Sequence, residues 1–231
     1  MDYIHVAIDG PAGAGKSTIA KAVAKALRIP YLDTGAMYRT LALYAIRAGV
    51  DPRDEAGVGG ILPGADIRIA YDAAGMQHML VQGEDVTGYI RTNEVSKGAS
   101  DIGVHPAVRK KLVQMQQQVA AEGPVVMDGR DICTVVMPHA PHKFFVTASP
   151  RIRAERRRKE FLEKGQDAPS IEELEQAIIA RDATDSGRAC DPLRQTEDAM
   201  LIDTSNLTIE ESIQTVLRAI EQKVAAQNGT P

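Results

Sequence analysis

Residues 4–17 read IHVAIDGPAGAGKS, and this stretch decides the fold. Its first part is a short apolar run that ends at Asp9, which predicts a buried strand. Its second part, residues 10–17, matches the phosphate-binding pattern G-x-x-x-x-G-K-[S/T] at every fixed position. Apolar side chains then recur at every fourth position over residues 19–27, which predicts an amphipathic helix. A strand, a glycine-rich loop and a helix in this order predict a nucleotide-binding fold.

The chemistry of this loop follows from its residue types. Glycines allow the backbone to bend around phosphate oxygens and to point its N–H groups inward, and the helix adds its positive N-terminal end. Lys16 can reach the β- and γ-phosphates of ATP, and the Ser17 hydroxyl can bind Mg²⁺ as a metal ligand. The residues expected to contact ATP are Gly10, Pro11, Ala12, Gly13, Ala14, Gly15, Lys16, Ser17 and Thr18.

The remaining chain alternates short apolar runs with helical patterns. Strands are predicted near residues 31–33, 124–128, 143–146 and 200–203, with helices between them, one of which runs from about Ile171 to Asp182. This order predicts an α/β fold, with a parallel β-sheet flanked by helices on both faces and ligands beyond the carboxyl ends of the strands. Four glycines and a proline in residues 57–64 predict a boundary. Alternating residues after it predict a hairpin, and we expect a small antiparallel β insertion at 62–90.

Composition limits the possible functions. The 231 residues are 44% apolar, which suits one compact domain over 1–231 that carries a small insertion. The formal net charge of −4 argues against nucleic acid as a partner. The sequence has no apolar run long enough for a membrane span and no recognisable signal peptide, so we expect a cytoplasmic monomer. Cys133 and Cys190 lack metal-ligand spacing and are expected to be reduced thiols.

A second set of motifs narrows the class of phosphate-binding protein. A GTPase would carry Asn-Lys-x-Asp, and the sequence has no Asn-Lys pair. A motor ATPase would end an apolar strand in Asp-Glu, whereas residues 128–131 read DGRD. Arg130 suits the binding of a second phosphate substrate, although it could instead form a salt bridge with a neighbouring aspartate.

Residues 151–160 hold six basic and two acidic side chains on a predicted helix. A charged run of this kind can simply be a solvated helix face. Beside a phosphate-binding loop, it favours a lid at 150–164 that places Arg153 and Arg157 over the transferred phosphoryl group.

At this level of detail the sequence resembles the bacterial cytidylate kinase family. The resemblance covers residues 4 to about 215 and rests on several motifs together. These motifs are IDG before the loop, LDTGAMYR at 32–39, GEDV at 83–86, IRT at 90–92, DGRD at 128–131, TVV at 134–136, RDATD at 181–185 with Arg188, and PL at 192–193. Cys133 departs from the family, which is expected to have glycine there.

The resemblance implies Mg²⁺-dependent transfer of phosphate from ATP to CMP or dCMP. It implies that Arg39, Arg130 and Arg188 hold the acceptor phosphate, with Thr34 nearby. Ser100, Arg109 and Asp131 would read cytosine, although Asp131 could instead orient Arg130. Arg181 and Asp185 would contact the sugar. The expected catalytic residues are Lys16, Arg130, Arg153 and Arg157.

Two other interpretations stay open at this point. One is a kinase for another small acceptor, such as UMP. The other is a switch protein that binds ATP and transfers nothing, which the arginines disfavour because a switch has no second substrate to hold.

Overall fold

The computed structural model describes residues 4–163 and 165–228. The strands are β1 (His5–Asp9), β2 (Tyr31–Asp33), β3 (Ile67–Tyr71), β4 (Gln77–Val81), β5 (Glu84–Asp85), β6 (Val125–Gly129), β7 (His142–Thr147) and β8 (Met200–Asp203). The α-helices are α1 (Lys16–Leu27), α2 (Thr34–Arg47), α3 (Glu55–Ile61), α4 (Asn93–Ile102), α5 (Pro106–Glu122), α6 (Pro150–Glu163), α7 (Ile171–Gly187) and α8 (Ile209–Asn228). A 3₁₀ turn spans Leu62–Gly64 and a π-helical turn spans Ile132–Val136.

A five-stranded parallel sheet forms the centre of the molecule, in the order β2-β6-β1-β7-β8. Its strands are apolar because helices cover both faces. Along β1, Val6 and Ile8 pack in a cluster with α1 and α8, whereas Ala7 packs on the opposite face with α2 and α5. The predicted α/β fold is therefore confirmed, and the carboxyl ends of all five strands lie at one edge.

The small antiparallel sheet has three strands in the order β3-β4-β5, one more than the predicted hairpin. Met79 and Val81 of β4 are buried in the same core cluster as α2. The side chain of Gln77 accepts a hydrogen bond from the N–H of Asp33 at 2.7 Å and donates to its carbonyl at 3.3 Å. The small sheet is thus attached to the site-bearing edge of the central sheet.

Two elements differ from the predicted boundaries. The glycine-rich segment forms α3 and the 3₁₀ turn, because Val58 and Leu62 are buried and Lys111 donates to the carbonyls of Leu62 and Ala65. Tertiary contacts there outweigh the low helix propensity of glycine. Helix α7 was predicted to end near Asp182, and it continues to Gly187.

The strand-to-loop junction yields a test of the fold. Gly10 has φ +145°, and an added Cβ would lie 1.9 Å from the carbonyl oxygen of Val146. We expect Gly10→Ala to lower the free energy of unfolding by about 3 kcal/mol, because backbone strain and overpacking act together. Gly59, a helical glycine with open space around its Cα, is the matched control.

Gly59→Ala should raise the free energy of unfolding by about 0.5–1 kcal/mol, since alanine is the better helix former. Urea denaturation followed by circular dichroism measures both variants. Equal effects of the two substitutions would show that the close approach at Gly10 does not constrain the fold.

Candidate active site

The phosphate-binding loop connects β1 to α1 at the centre of the sheet edge. Gly15 takes the left-handed conformation, with φ +89°, immediately before α1 begins at Lys16. The Lys16 side chain is 5% exposed and its Nζ donates to the carbonyl of Pro11 at 2.7 Å. Burial, followed by the nearby charge of Arg130, lowers the pKa of Lys16. An anion bound in the loop would restore the charged form of this lysine.

Next to the loop lies a buried carboxylate, Asp128, at the end of β6. Ser17 donates to its Oδ2 at 3.0 Å, and the Tyr31 hydroxyl donates to its Oδ1 at 2.5 Å. Burial and the neighbouring Asp33 raise the pKa of Asp128. The Ser17 hydroxyl and this carboxylate are the hard oxygen donors that Mg²⁺ prefers, so the residues present fit a magnesium ion.

Thr34 lies at the same carboxyl end of the strand pair β2 and β6, directly after Asp33. Its hydroxyl donates to the carbonyl of Asp128 at 2.7 Å, which fixes the first turn of α2 against β6. Asp33 caps that helix by accepting from the N–H of Ala36 at 2.9 Å. The predicted acceptor residue Thr34 is therefore buried at the start of α2, and its hydroxyl donates to the backbone of β6.

Several arginines converge at this edge. Burial lowers the pKa of Arg181 to about 10, with further contributions from the charges of Arg130, Arg39 and Arg157. The Nε atoms of Arg39 and Arg181 are buried and have no hydrogen-bond partner among the described residues. Unpaired donors on clustered cations form a site for an anion with several oxygens, such as a phosphate.

Carboxylates hold these arginines in place. Arg39 and Arg91 contact Asp33 at 2.8 and 3.1 Å, and Arg130 contacts Asp185 at 2.7 Å. Arg130 thus pairs with a residue of α7 rather than with a neighbouring aspartate. The alternative in which Asp131 orients Arg130 is therefore wrong.

A second group of charges lies deeper, between α5 and α7. Arg109 is 2% exposed and donates to Asp131 and, at 2.8 Å, to Asp191. Arg188 donates to the carbonyl of Asp191 at 2.6 Å, and its Nη2 lies 3.9 Å from Asp131. The structure therefore brings together Arg109 and Asp131, which the resemblance places in one group, and adds Arg188, which the resemblance places with the acceptor phosphate. Ser100 lies on α4, one turn before the Gly103 carbonyl that Arg109 approaches at 3.4 Å.

Three arginines of α6 lie in different environments. Arg153 is 2% exposed, forms a two-bond pair with Asp182, and donates to the loop carbonyl of Ala12 at 3.1 Å. Arg157 is partly exposed and donates to Asn93 at the start of α4, at 2.9 Å. These two predicted lid residues therefore differ, because Arg153 is bound to the loop and Arg157 spans the cleft.

The third arginine of this helix, Arg156, donates to both the hydroxyl and the carbonyl of Thr204, at 3.0 and 2.6 Å. Thr204 in turn donates to the loop carbonyl of Ala14 at 3.2 Å. Beside Arg157 lies a cavity of about 260 Å³ between α6 and residues 88–93.

Sequence reasoning missed the partners of these arginines. Asp191 belongs to no motif, so the sequence did not indicate its role. In the structure its backbone has φ +48°, an uncommon value for a residue other than glycine. Asp182 belongs to the RDATD motif, but its role as the counterion of Arg153 depends on the packing of α7 against α6. Asp33 could be placed at the edge only as the end of a strand.

A complete phosphate-binding loop beside a cluster of arginines, at the carboxyl edge of a parallel sheet, defines a P-loop kinase. Comparison with known proteins identifies the family. A sequence model described as cytidylate kinase matches residues 6–222. This chain belongs to the cytidylate kinase family, and the resemblance predicted from its motifs is confirmed.

Curated relatives agree along nearly the whole chain. The cytidylate kinase of Halalkalibacterium halodurans is 45% identical over 224 residues, covering 97% of this chain and 100% of the relative. That of Carboxydothermus hydrogenoformans is 46% identical over 220 residues, covering 95% and 98%. That of Bacillus subtilis is 46% identical over 220 residues, covering 95% and 97%.

Among solved structures, an uncharacterized protein from Eubacterium ventriosum aligns with 96% of this chain and 99% of its own. The TM-score is 0.53 at 11% sequence identity, so this likeness concerns the fold alone. No helix in the described ranges has both the length and the apolar character required to cross a membrane.

The pair between Arg153 and Asp182 supports a stability prediction. Asp182→Ala should lower the free energy of unfolding by about 3 kcal/mol, because it leaves a buried arginine without its counterion. Glu160→Ala is the control, since its pair with Arg157 is exposed and should contribute at most about 0.5 kcal/mol. Urea denaturation at neutral pH measures both. A loss below 1 kcal/mol for Asp182→Ala would contradict this role for the buried pair.

Proposed function

We propose that this protein transfers the γ-phosphoryl group of ATP to CMP or dCMP, giving ADP and CDP or dCDP. The observation that carries the proposal is the cluster of Lys16 and arginines at the sheet edge, because Arg130 and Arg181 both lie close enough to lower the pKa of Lys16. A donor-phosphate lysine and acceptor-side arginines thus share one cleft. Membership of the cytidylate kinase family supports the choice of acceptor.

The residues of the loop would bind ATP. Backbone N–H groups of residues 10–18 and the Lys16 ammonium would hold the β- and γ-phosphates. Ser17 and Asp128 would hold Mg²⁺, which when bound neutralises phosphate charge. The region of Thr204 lies against Ala14 and suits the adenine side of the nucleotide.

The acceptor would lie across the cleft from the loop. Arg39, Arg130 and Arg188 would hold its phosphate, and Arg181 and Asp185 its sugar. Two of these arginines are already ion-paired, so the protein positions them before substrate binds. Phosphoryl transfer requires alignment of two phosphates and neutralisation of their charge, and it does not require a dedicated general base.

We propose further that α6, within residues 150–164, closes over the bound nucleotides. Arg157 supports this role because it reaches Asn93 on the opposite side of the cleft. Arg153 would act from beneath the loop, where it positions the Ala12 carbonyl. Residues 62–90 would form the acceptor-side insertion. Three further statements stay predictions from the sequence: that the protein is a monomer, that it is cytoplasmic, and that nucleic acid is not a partner.

A coupled assay for ADP tests this function, with CMP, dCMP, UMP and AMP as acceptors. We expect the highest kcat/KM with CMP or dCMP. Lys16→Ala should reduce turnover by about 10²-fold or more, since it removes a preorganised charge from the transition state. A kinase for another acceptor would show its best kcat/KM with UMP or AMP. ATP binding without ADP production for every acceptor would identify a switch protein and contradict the proposal.

Cytosine recognition gives a sharper prediction. Cytosine presents an exocyclic amine beside an N3 acceptor, and uracil reverses both groups, so the Asp131 carboxylate and the Arg109 guanidinium match cytosine only. Asp131→Ala should lower the ratio of CMP to UMP efficiency by about 10- to 100-fold. The variant removes a carboxylate that matches cytosine and is mismatched with uracil, so it no longer disfavours UMP.

Arg109 retains Asp191 as a partner in this variant, which favours a folded enzyme. Ser212→Ala is a suitable control, because this buried serine bonds only within the start of α8. The ratio of kcat/KM values for the two acceptors is the measurement. An equal fall for both acceptors would show that Asp131 supports the fold without reading the base.

A further inference from the structure

Asp131 occupies the N-cap position of the π-helical turn Ile132–Val136, yet its side chain does not cap that turn. Its backbone carbonyl accepts from the N–H groups of Val135 and Val136, at 2.9 and 3.2 Å. An aspartate at an N-cap ordinarily turns its carboxylate back to the first free N–H groups of the helix. Here that carboxylate points away and pairs with Arg109.

Another aspartate satisfies the start of the turn. Asp9, the last residue of β1, accepts from the N–H of Ile132 at 2.9 Å and from the N–H of Cys133 at 2.7 Å. Asp9 is fully buried, and it lies beside Gly129 in the register of β1 and β6. A carboxylate 123 residues away in sequence thus performs the capping that Asp131 would otherwise perform.

This exchange has an electrostatic consequence. Asp9 and Asp131 are both acidic and both buried, and burial raises the pKa of Asp9 to about 6, with the two N–H bonds opposing and Asp131 adding to the shift. Keeping an acid here is costly unless its two acceptor oxygens are used. A buried carboxylate that accepts hydrogen bonds from two backbone N–H groups at the start of a turn therefore has a specific structural role, which is to cap that turn.

We infer that Asp9 is a positioning residue for acceptor-base recognition: by capping the turn it frees the Asp131 carboxylate for Arg109 and the base. The inference rests on the proposed function, and it adds to it a residue outside the acceptor site. Asp9 directly precedes the phosphate-binding loop, but its carboxylate bonds to the turn at Ile132 and Cys133.

The substitution Asp9→Asn tests the inference. Asparagine keeps the shape but offers one acceptor oxygen, and its NH₂ group would face the second backbone N–H. The turn would then compete for the Asp131 carboxylate. We expect the ratio of CMP to UMP efficiency to fall about tenfold, with KM for CMP raised and KM for ATP within twofold of the wild type.

Cys133→Ala is the matched control. It removes a buried thiol from the same turn and leaves the backbone N–H that donates a hydrogen bond to Asp9. Its ratio of CMP to UMP efficiency should equal that of the wild type. An unchanged ratio in Asp9→Asn, or the same fall in Cys133→Ala as in Asp9→Asn, would overturn the inference.

A double-mutant cycle separates this inference from the proposal on Asp131. Asp131→Ala alone should lower the ratio of CMP to UMP efficiency. Adding Asp9→Asn should not lower this ratio further, because both substitutions act through the Asp131 carboxylate. A further fall in the double variant would overturn the inference while base reading by Asp131 stands. If Asp131→Ala leaves the ratio unchanged, base reading and the inference both fail, and the acceptor panel reports separately on transfer to CMP.

A crystal structure of the wild-type protein with CMP keeps the inference testable if Asp9→Asn does not fold. We expect Asp9 to accept from Ile132 and Cys133 while Asp131 contacts the base. An Asp131 carboxylate bonded to the N–H groups of its own turn would overturn it.

Discussion

Repulsion between buried cations at one edge of the sheet is the constraint on which the rest of this structure depends. A site that binds two phosphates requires several positive charges within a few ångströms, and burial strengthens their mutual repulsion. Most of these positive charges are paired with a carboxylate, as in the pairs of Arg130 with Asp185 and Arg153 with Asp182. Burial lowers the pKa values of Lys16 and Arg181, and repulsion from neighbouring arginines lowers them further. Bound phosphates would offset this repulsion and favour the charged forms of both side chains.

These pairs also hold the molecule together, because each joins elements that are far apart in sequence. Asp185 and Asp182 lie three residues apart on α7, and they bind an arginine from the end of β6 and one from α6. Asp33 ends β2, caps α2 and binds Arg39 on that helix. The same contacts that stabilise the fold thus orient the arginines before a substrate arrives, which reduces the ordering required on binding.

The sequence predicted what depends on local pattern, and the partners that depend on packing could not be predicted. The loop, the parallel strands and the hairpin follow from spacing and residue type, whereas most of the arginine set follows from the resemblance to a family. Arg130 was expected to bind a phosphate, with a neighbouring aspartate as the alternative partner, and its partner in the structure lies 55 residues away on a helix that extends beyond its predicted end. Likewise, α3 forms across glycines because Val58 is buried. The two backbone hydrogen bonds that Asp9 accepts could not be predicted from any single segment, since they depend on the register of β1 and β6.

The contact between Gln77 and Asp33 has a consequence for the modularity of this chain. One amide side chain binds both the N–H and the carbonyl of Asp33, the residue that caps α2. Excising the small sheet would remove the side-chain partner of two backbone groups beside the arginine site. The small sheet is therefore a structural part of this edge of the central sheet and could not be removed or exchanged freely. Shortening this chain to a minimal nucleotide-binding unit would require a new partner for the backbone of Asp33.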